Sequence, residues 1–231
     1  ILYTGALPEA FDAETIKRVY NYDFELKQVE GIDDISDFDG STIFLSQEKE
    51  FSKVDLNPKV DFFISLYGDL GSVIFVNGQN QSYIKEIQHV RRRETIAMTP
   101  ANCFSALQKL TNSSYTEAKK ADFEANKASV LESIRKVTGT DIEALVASSG
   151  LSMQYAIMMG LIDEALEKHP GKDIKIIVPP NCYGGTNDQA RRVAACVPNV
   201  EILDLLVALG KRFDGAVAVI TGRPLDVVDG F

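Results

Sequence analysis

Two short stretches carry groups suited to chemistry. Residues 148–152 read Ser-Ser-Gly-Leu-Ser, and residues 182–186 read Cys-Tyr-Gly-Gly-Thr; each leads into a helix-forming run. In the first, Ser148, Ser149 and Gly150 can turn backbone N–H groups and hydroxyls toward an anion. The helix that follows adds the positive end of its dipole. A phosphate would be held there without any lysine, although Ser is also a good helix cap and Gly a good turn residue. In the second, Thr186 and Gln189 fit a T-x-x-Q capping box. Gly184 and Gly185 let the backbone turn or let something approach closely. Tyr183 is left either to stack on a flat ring or to pack beneath its loop. A flat heterocycle bearing a phosphate would satisfy both turns.

The bulk of the chain narrows what such a ligand serves. The 231 residues suffice for one large domain or two small ones, and 45% apolar with 25% charged residues is ordinary for a globular protein. A net charge of −9 argues against a general nucleic-acid binder, which needs a basic face for phosphates. Arg91, Arg92 and Arg93, beside His89 and Glu94, form the one compact basic run and read as a solvated face or a subunit contact. No stretch approaches a membrane-spanning length, no secretory leader is evident, and the cytoplasm is the expected compartment. Cys103, Cys182 and Cys196 are odd in number and scattered. With His89 and His169 as the only histidines, no metal centre is expected.

Periodicity supplies the elements that must present the two turns. Helices are expected over 8–22, 81–94 and from Thr99-Pro100 through 114, with strands over 41–46, 60–66 and 72–78. A long amphipathic helix is expected over 115–139, its stripe of Phe123, Val130, Leu131, Ile134 and Val137 facing a core and Gly139 closing it. From there the pattern alternates: strand 143–148, helix 150–171, strand 173–179, helix 186–197, strand 200–206. That alternation predicts an α/β fold with a mainly parallel sheet and flanking helices, preceded by a smaller α/β region. The expected regions are 1–97, 98–205 and a strand-containing tail at 206–231. Ligands of such sheets sit beyond the carboxyl ends of the strands, where both turns fall.

The run "LVASSGLS", then a helix, a hydrophobic strand and "NCYGGT", resembles the cofactor domain of the Cys/Met-metabolism pyridoxal-phosphate enzymes, the cystathionine γ-synthase and methionine γ-lyase group. The resemblance covers roughly residues 120–205 and implies the first half of a fold-type I large domain. It implies pyridoxal 5'-phosphate as cofactor, its phosphate held by the turn at Ser149, Gly150 and Leu151, with Tyr183 over the pyridine ring. It further implies elimination or replacement at a sulfur-bearing amino-acid substrate, and a homodimer or tetramer. The family's Ser-x-Thr-Lys lysine and its pyridine-nitrogen aspartate have no matching position; Lys211 stands too early and in another context. The family's Tyr-x-Arg is echoed at Tyr115-Thr116-Glu117 with the charge reversed. On these residues the chain reads as an incomplete enzyme of this kind.

Residues 205–231 instead resemble a haloacid-dehalogenase-type phosphatase, trehalose-phosphate phosphatases above all, around "TGRP". That resemblance implies Mg²⁺, with Thr221 on a phosphoryl oxygen and "DFDGS" supplying Asp37 as nucleophile and Asp39 as acid/base. Asp-Phe-Asp-Gly is equally an ordinary turn. A third reading is a non-catalytic α/β module or a composite chain that keeps motif-like turns.

Overall fold

The alternating β-branched and aromatic runs near the start of the chain pair into a five-stranded sheet in the order β2-β1-β3-β4-β5. Its strands are β1 (Leu2–Thr4), β2 (Lys27–Gln28), β3 (Ile43–Ser46), β4 (Phe62–Leu66) and β5 (Ser72–Val76). This comes from a computed structural model that describes residues 1–32, 35, 40–46, 57–94, 96–114, 122–179, 181–204 and 217–219. Strands β1 to β4 are parallel, and β5 returns antiparallel to β4. The chain divides into two compact units. The first holds residues 1–11, 24–92 and 96–146, and the second holds 12–23, 93–95 and 147–231.

In the first unit Leu2, Val29, Ile35, Phe44, Val60 and Phe63 form the buried cluster. The β4–β5 turn closes with a bond from Tyr67 N–H to the Gly71 carbonyl. Gly71 sits at φ +131, and a Cβ there would stand 2.8 Å from Met98 Cγ, so only glycine fits. Helices α2 (Tyr83–Arg93), α3 (Pro100–Leu110) and α4 (Phe123–Thr138) follow, with α1 (Ala13–Tyr20) preceding them in the second unit. Asp12 caps α1 and Thr99 caps α3, whose Pro100 occupies the first turn, where its missing N–H costs nothing. Asp122 caps α4, which ends on Gly139 at φ 66.

The second unit is a three-stranded parallel sheet in the order β7-β6-β8, built from β6 (Ile174–Val178), β7 (Val200–Asp204) and β8 (Val217–Val219). Helices α5 (Gly150–Lys168) and α6 (Gly184–Cys196) flank it. Ile174, Ile176 and Val178 of β6 pack with Met158 and Ile162 of α5, Val19 of α1, and Ala190 and Val193 of α6. Arg18 of α1 donates to Asp163 at 2.6 Å and pairs with Glu167 at 3.1 Å, both on α5. The Tyr20 and Tyr155 hydroxyls share a 3.1 Å hydrogen bond. Each unit is thus α/β, and the mainly parallel sheets with flanking helices agree with the expected class.

Three expectations are corrected. Residues 143–148 form no strand, and Ile142 and Leu145 stay exposed. Strand β6 takes β7 on one edge and β8 on the other, so no edge of it is left for a strand from 143–148. The apolar stripe of α4 does not face a core: none of its residues is buried. Finally, α6 begins at Gly184, two residues before the expected cap. The expected helix residues 115–121 lie outside the described residues, as do Lys211 and the "TGRP" segment.

Two outcomes follow from this packing. Truncating the fully buried Ile176 to Ala should lower unfolding free energy by ~2–5 kcal/mol, read by chemical denaturation, because it opens a cavity at the centre of the second unit. The second concerns Tyr155, whose hydroxyl is pushed above its ordinary value by burial and then by its bond to Tyr20. An unfolded tyrosine ionises near pH ~10 while the folded one stays neutral, so stability should fall as pH rises above about 10. Thermal melting against pH should show that decline flattened in Tyr155→Phe.

Candidate functional site

The first turn of α5 starts from Ser149, whose extended backbone (φ −158, ψ 165) is that of a helix cap. Its Oγ accepts from Ser152 N–H at 3.1 Å, and Ser152 Oγ accepts from Ser149 N–H at 3.0 Å. The two hydroxyls are therefore engaged in holding the helix start, in a serine version of the capping box. Helical bonding begins with Met153 N–H on the Ser149 carbonyl. The N–H groups of Gly150 and Leu151 precede it and have no carbonyl of their own helix to donate to. Space around Gly150 is open: a Cβ there would meet nothing within 4 Å. The donors this turn leaves without a partner inside the helix are thus backbone groups, not serine hydroxyls.

Helix α6 starts differently. Tyr183 is its cap residue and contributes no side-chain bond; its carbonyl accepts from Thr186 N–H at 2.9 Å. The N–H groups of Gly184 and Gly185 again precede the first helical bond. Tyr183 is 66% exposed, with its ring lying against Gly185. A Cβ on Gly185 would stand 2.5 Å from Tyr183 Cε1 and 3.2 Å from Leu151 Cδ2. Glycine at 185 therefore admits the tyrosine ring and the Leu151 side chain to the same spot.

That contact joins the two turns. Helix α5 runs back along β6, and α6 leaves from the end of it, so both helices start beyond the carboxyl end of β6. A chain of hydrogen bonds holds the starts together. Thr186 Oγ1 donates to Gln154 Oε1 at 2.8 Å, and Gln154 Nε2 donates to Gln189 Oε1 at 2.9 Å. Gln189 Nε2 donates to the carbonyls of Leu151 at 3.0 Å and Arg93 at 3.3 Å. Thr186 and Gln189 are almost wholly buried, so each bond replaces water these groups have lost. The expected Thr186 capping box is accordingly corrected: both of its members belong to this relay.

Beside it lies a charge cluster. Arg93 Nε meets Asp188 Oδ2 at 2.9 Å, Arg192 pairs with the buried Glu94, and Arg192 Nε lies 3.8 Å from Asp188. Two cations and two carboxylates balance, as charges withdrawn from water require. Arg93 thus leaves the solvated basic run in which its sequence neighbours place it.

The structure brings Ser149, Gly150, Leu151 and Tyr183 to one place. Sequence reasoning passed over Gln154 and the roles of Gln189 and Arg93. A glutamine near the start of each of two facing helices, at 154 and 189, was the available signal. Asp37, Asp39, Tyr115, Glu117 and Thr221 lie outside the described residues. Among the described residues no group of three or more His, Cys, Asp or Glu side chains is placed to hold a metal ion, and no helix is long and apolar enough to cross a membrane. Comparison with family models, curated proteins and solved structures returns no match.

The relay can be tested directly. Gln189→Leu keeps the volume but leaves the Gln154 side-chain NH2 without its acceptor and removes the donor to the Leu151 and Arg93 carbonyls. It should cost ~1–3 kcal/mol in urea unfolding. An unchanged midpoint would show that the relay does not hold the two starts.

Proposed function

We propose that this chain binds pyridoxal 5'-phosphate at the paired starts of α5 and α6. The N–H groups of Gly150 and Leu151 would hold the phosphate, and Tyr183 would lie against the pyridine ring. One observation carries the reading: the Ser149–Gly150–Leu151 turn and Tyr183 meet over Gly185, beyond one strand end. The donor set suits the group. Backbone N–H groups at the start of the nineteen-residue α5 favour a dianion, and an exposed aromatic ring stands beside them.

Bound pyridoxal phosphate serves as an electron sink for a substrate carbanion. The resemblance names elimination or replacement at a sulfur-bearing amino acid as the reaction class, with a homo-oligomer as its setting. The residues of this chain contribute binding and orientation. Ser149 and Ser152 fix the helix start, so that the Gly150 and Leu151 donors are positioned before a ligand arrives. Gln189 fixes the Leu151 carbonyl and, through it, the same turn. The matched stretch supplies no lysine in the family's Schiff-base setting, so the reading is one of a cofactor cradle.

Titration with pyridoxal phosphate, followed by absorbance and by tyrosine emission in a chain that contains no tryptophan, tests it. Saturable binding is expected, displaced by inorganic phosphate. Tyr183→Ala should weaken it by about three- to tenfold, the worth of one aromatic contact. Gly150→Pro removes a phosphate donor at a helix position that tolerates proline, and should weaken binding by about tenfold or more with melting unchanged. Borohydride reduction and peptide mapping would then identify any lysine carrying the cofactor. Absence of saturable binding, or binding indifferent to both substitutions, would overturn the reading.

A further inference from the structure

Of all the asparagines in the sequence, only Asn77 is followed by glycine. That dipeptide has a chemistry of its own. The backbone nitrogen after an asparagine can attack the side-chain amide, and glycine, with no side chain to screen its nitrogen, hinders the attack least. Asn77 stands directly after β5, at the entry to a single 3-10 turn over Gly78–Asn80. Its Oδ1 accepts from Gly78 N–H at 2.9 Å, so nucleophile and amide already lie against each other. Gly78 is exposed, which leaves its nitrogen open to water and base.

What the amide holds gives the reaction a consequence. Asn77 Nδ2 donates to the carbonyls of Asn57 at 3.0 Å and Val60 at 2.8 Å. The Asn57 carbonyl also accepts from Val60 N–H at 3.0 Å, closing the turn over 57–60. Val60 is fully buried in the apolar cluster of the first unit, and Asp61 leads from it into β4. The Asn77 amide therefore clips this turn to the end of the neighbouring strand β5. An aspartate in its place has no hydrogen to donate and turns a carboxylate toward two carbonyl oxygens. It also adds charge to a network that already holds the Asp61 carboxylate, which accepts from Thr42 N–H at 2.7 Å and Asn80 Nδ2 at 2.6 Å. An isoaspartate further routes the backbone through the side chain and lengthens it there.

We propose that Asn77 is a site of spontaneous deamidation in the folded chain, and that its conversion releases the 57–60 turn from β5. Base takes the Gly78 amide proton, the nitrogen bonds to Asn77 Cγ, and the Cγ–Nδ2 bond breaks with loss of ammonia. Water then opens the cyclic imide at one carbonyl or the other, giving aspartate or isoaspartate. Water is consumed and ammonia released, with no change of oxidation state. The fold slows this reaction without blocking it. Both Nδ2 hydrogens are engaged, and the Asn77 backbone is held through its N–H on the Asp61 carbonyl and through Asn80 N–H on its own carbonyl. None of these residues belongs to the second unit, so the proposal stands apart from the cofactor reading.

Incubation of the full chain at mildly alkaline pH, folded and in urea, with peptide mapping by mass spectrometry, tests it. In the folded chain the mass gain of amide-to-acid conversion should accumulate at Asn77 ahead of every other asparagine, and in urea it should accumulate faster. Gly78→Ala should slow it several-fold; the space around Gly78 is open and its backbone is not left-handed, so alanine fits. In the converted chain hydrogen exchange over residues 57–62 should rise and melting should fall by several degrees, and Asn77→Asp should do the same. Two results would overturn the proposal. One is a folded chain whose Asn77 stays an amide while the chain in urea converts. The other is a converted chain that exchanges and melts like the parent, which would mean that the amide does not hold the turn.

Discussion

Gln189 buries a whole amide, and everything around the two turns depends on where that amide finds its partners. Its oxygen takes a hydrogen from Gln154, and its nitrogen reaches the backbone of Leu151 and of Arg93. A buried amide without such partners would be strongly disfavoured, so these bonds restrict how α5 and α6 can slide past one another. Apolar packing between the same helices would tolerate small shifts; hydrogen bonds at 3 Å do not. The relay therefore converts a loosely specified helix contact into a defined one, and the defined contact sets the distance between the Gly150 turn and the Tyr183 ring.

The layers beneath keep this arrangement from drifting as a block. Strand β6 is the spine, paired on both edges and packed by α1, α5 and α6 against its isoleucines. The Arg18 bonds to α5 are exposed and individually worth little. The Arg93, Glu94, Asp188 and Arg192 cluster is another matter, because Glu94 is buried and removing Arg192 would take away the cation it pairs with. Polar groups thus specify the geometry around the site, while apolar contacts supply the bulk of its cohesion.

Much of the architecture was legible because strong signals there agree with one another. Thr99-Pro100 and Gly139 announce helix ends through local chemistry, and the structure puts ends there, whereas α1 spans only Ala13–Tyr20 of the stretch 8–22 expected as helix, starting from Asp12. Residues 143–148 mislead because an apolar run says only that burial is favourable, not that an edge is available; β8, far along the chain, takes the place beside β6. The α4 stripe misleads in the same way, since amphipathicity marks an apolar face without saying that a core lies beside it. At the site, the adjacency of the two turns could be argued from strand order. The relay could not, because Thr186 and Gln189 satisfy a local capping pattern equally well on paper. Local and long-range hydrogen bonding compete for the same side chains, and only the fold decides.

The membership of α1 in the second unit has a consequence for how the chain is made. Val19 finds its neighbours on α5 and β6, which are synthesised only after the whole five-stranded sheet has emerged. During that interval an eight-residue helix has too few internal bonds to persist by itself. Its segment must therefore wait as unstructured chain while a complete sheet assembles between it and its destination. Strand β8, which pairs along one edge of β6, comes later still. Contacts so distant in sequence close slowly, and the second unit has the character of a late-folding body whose earliest residues are among the last to settle.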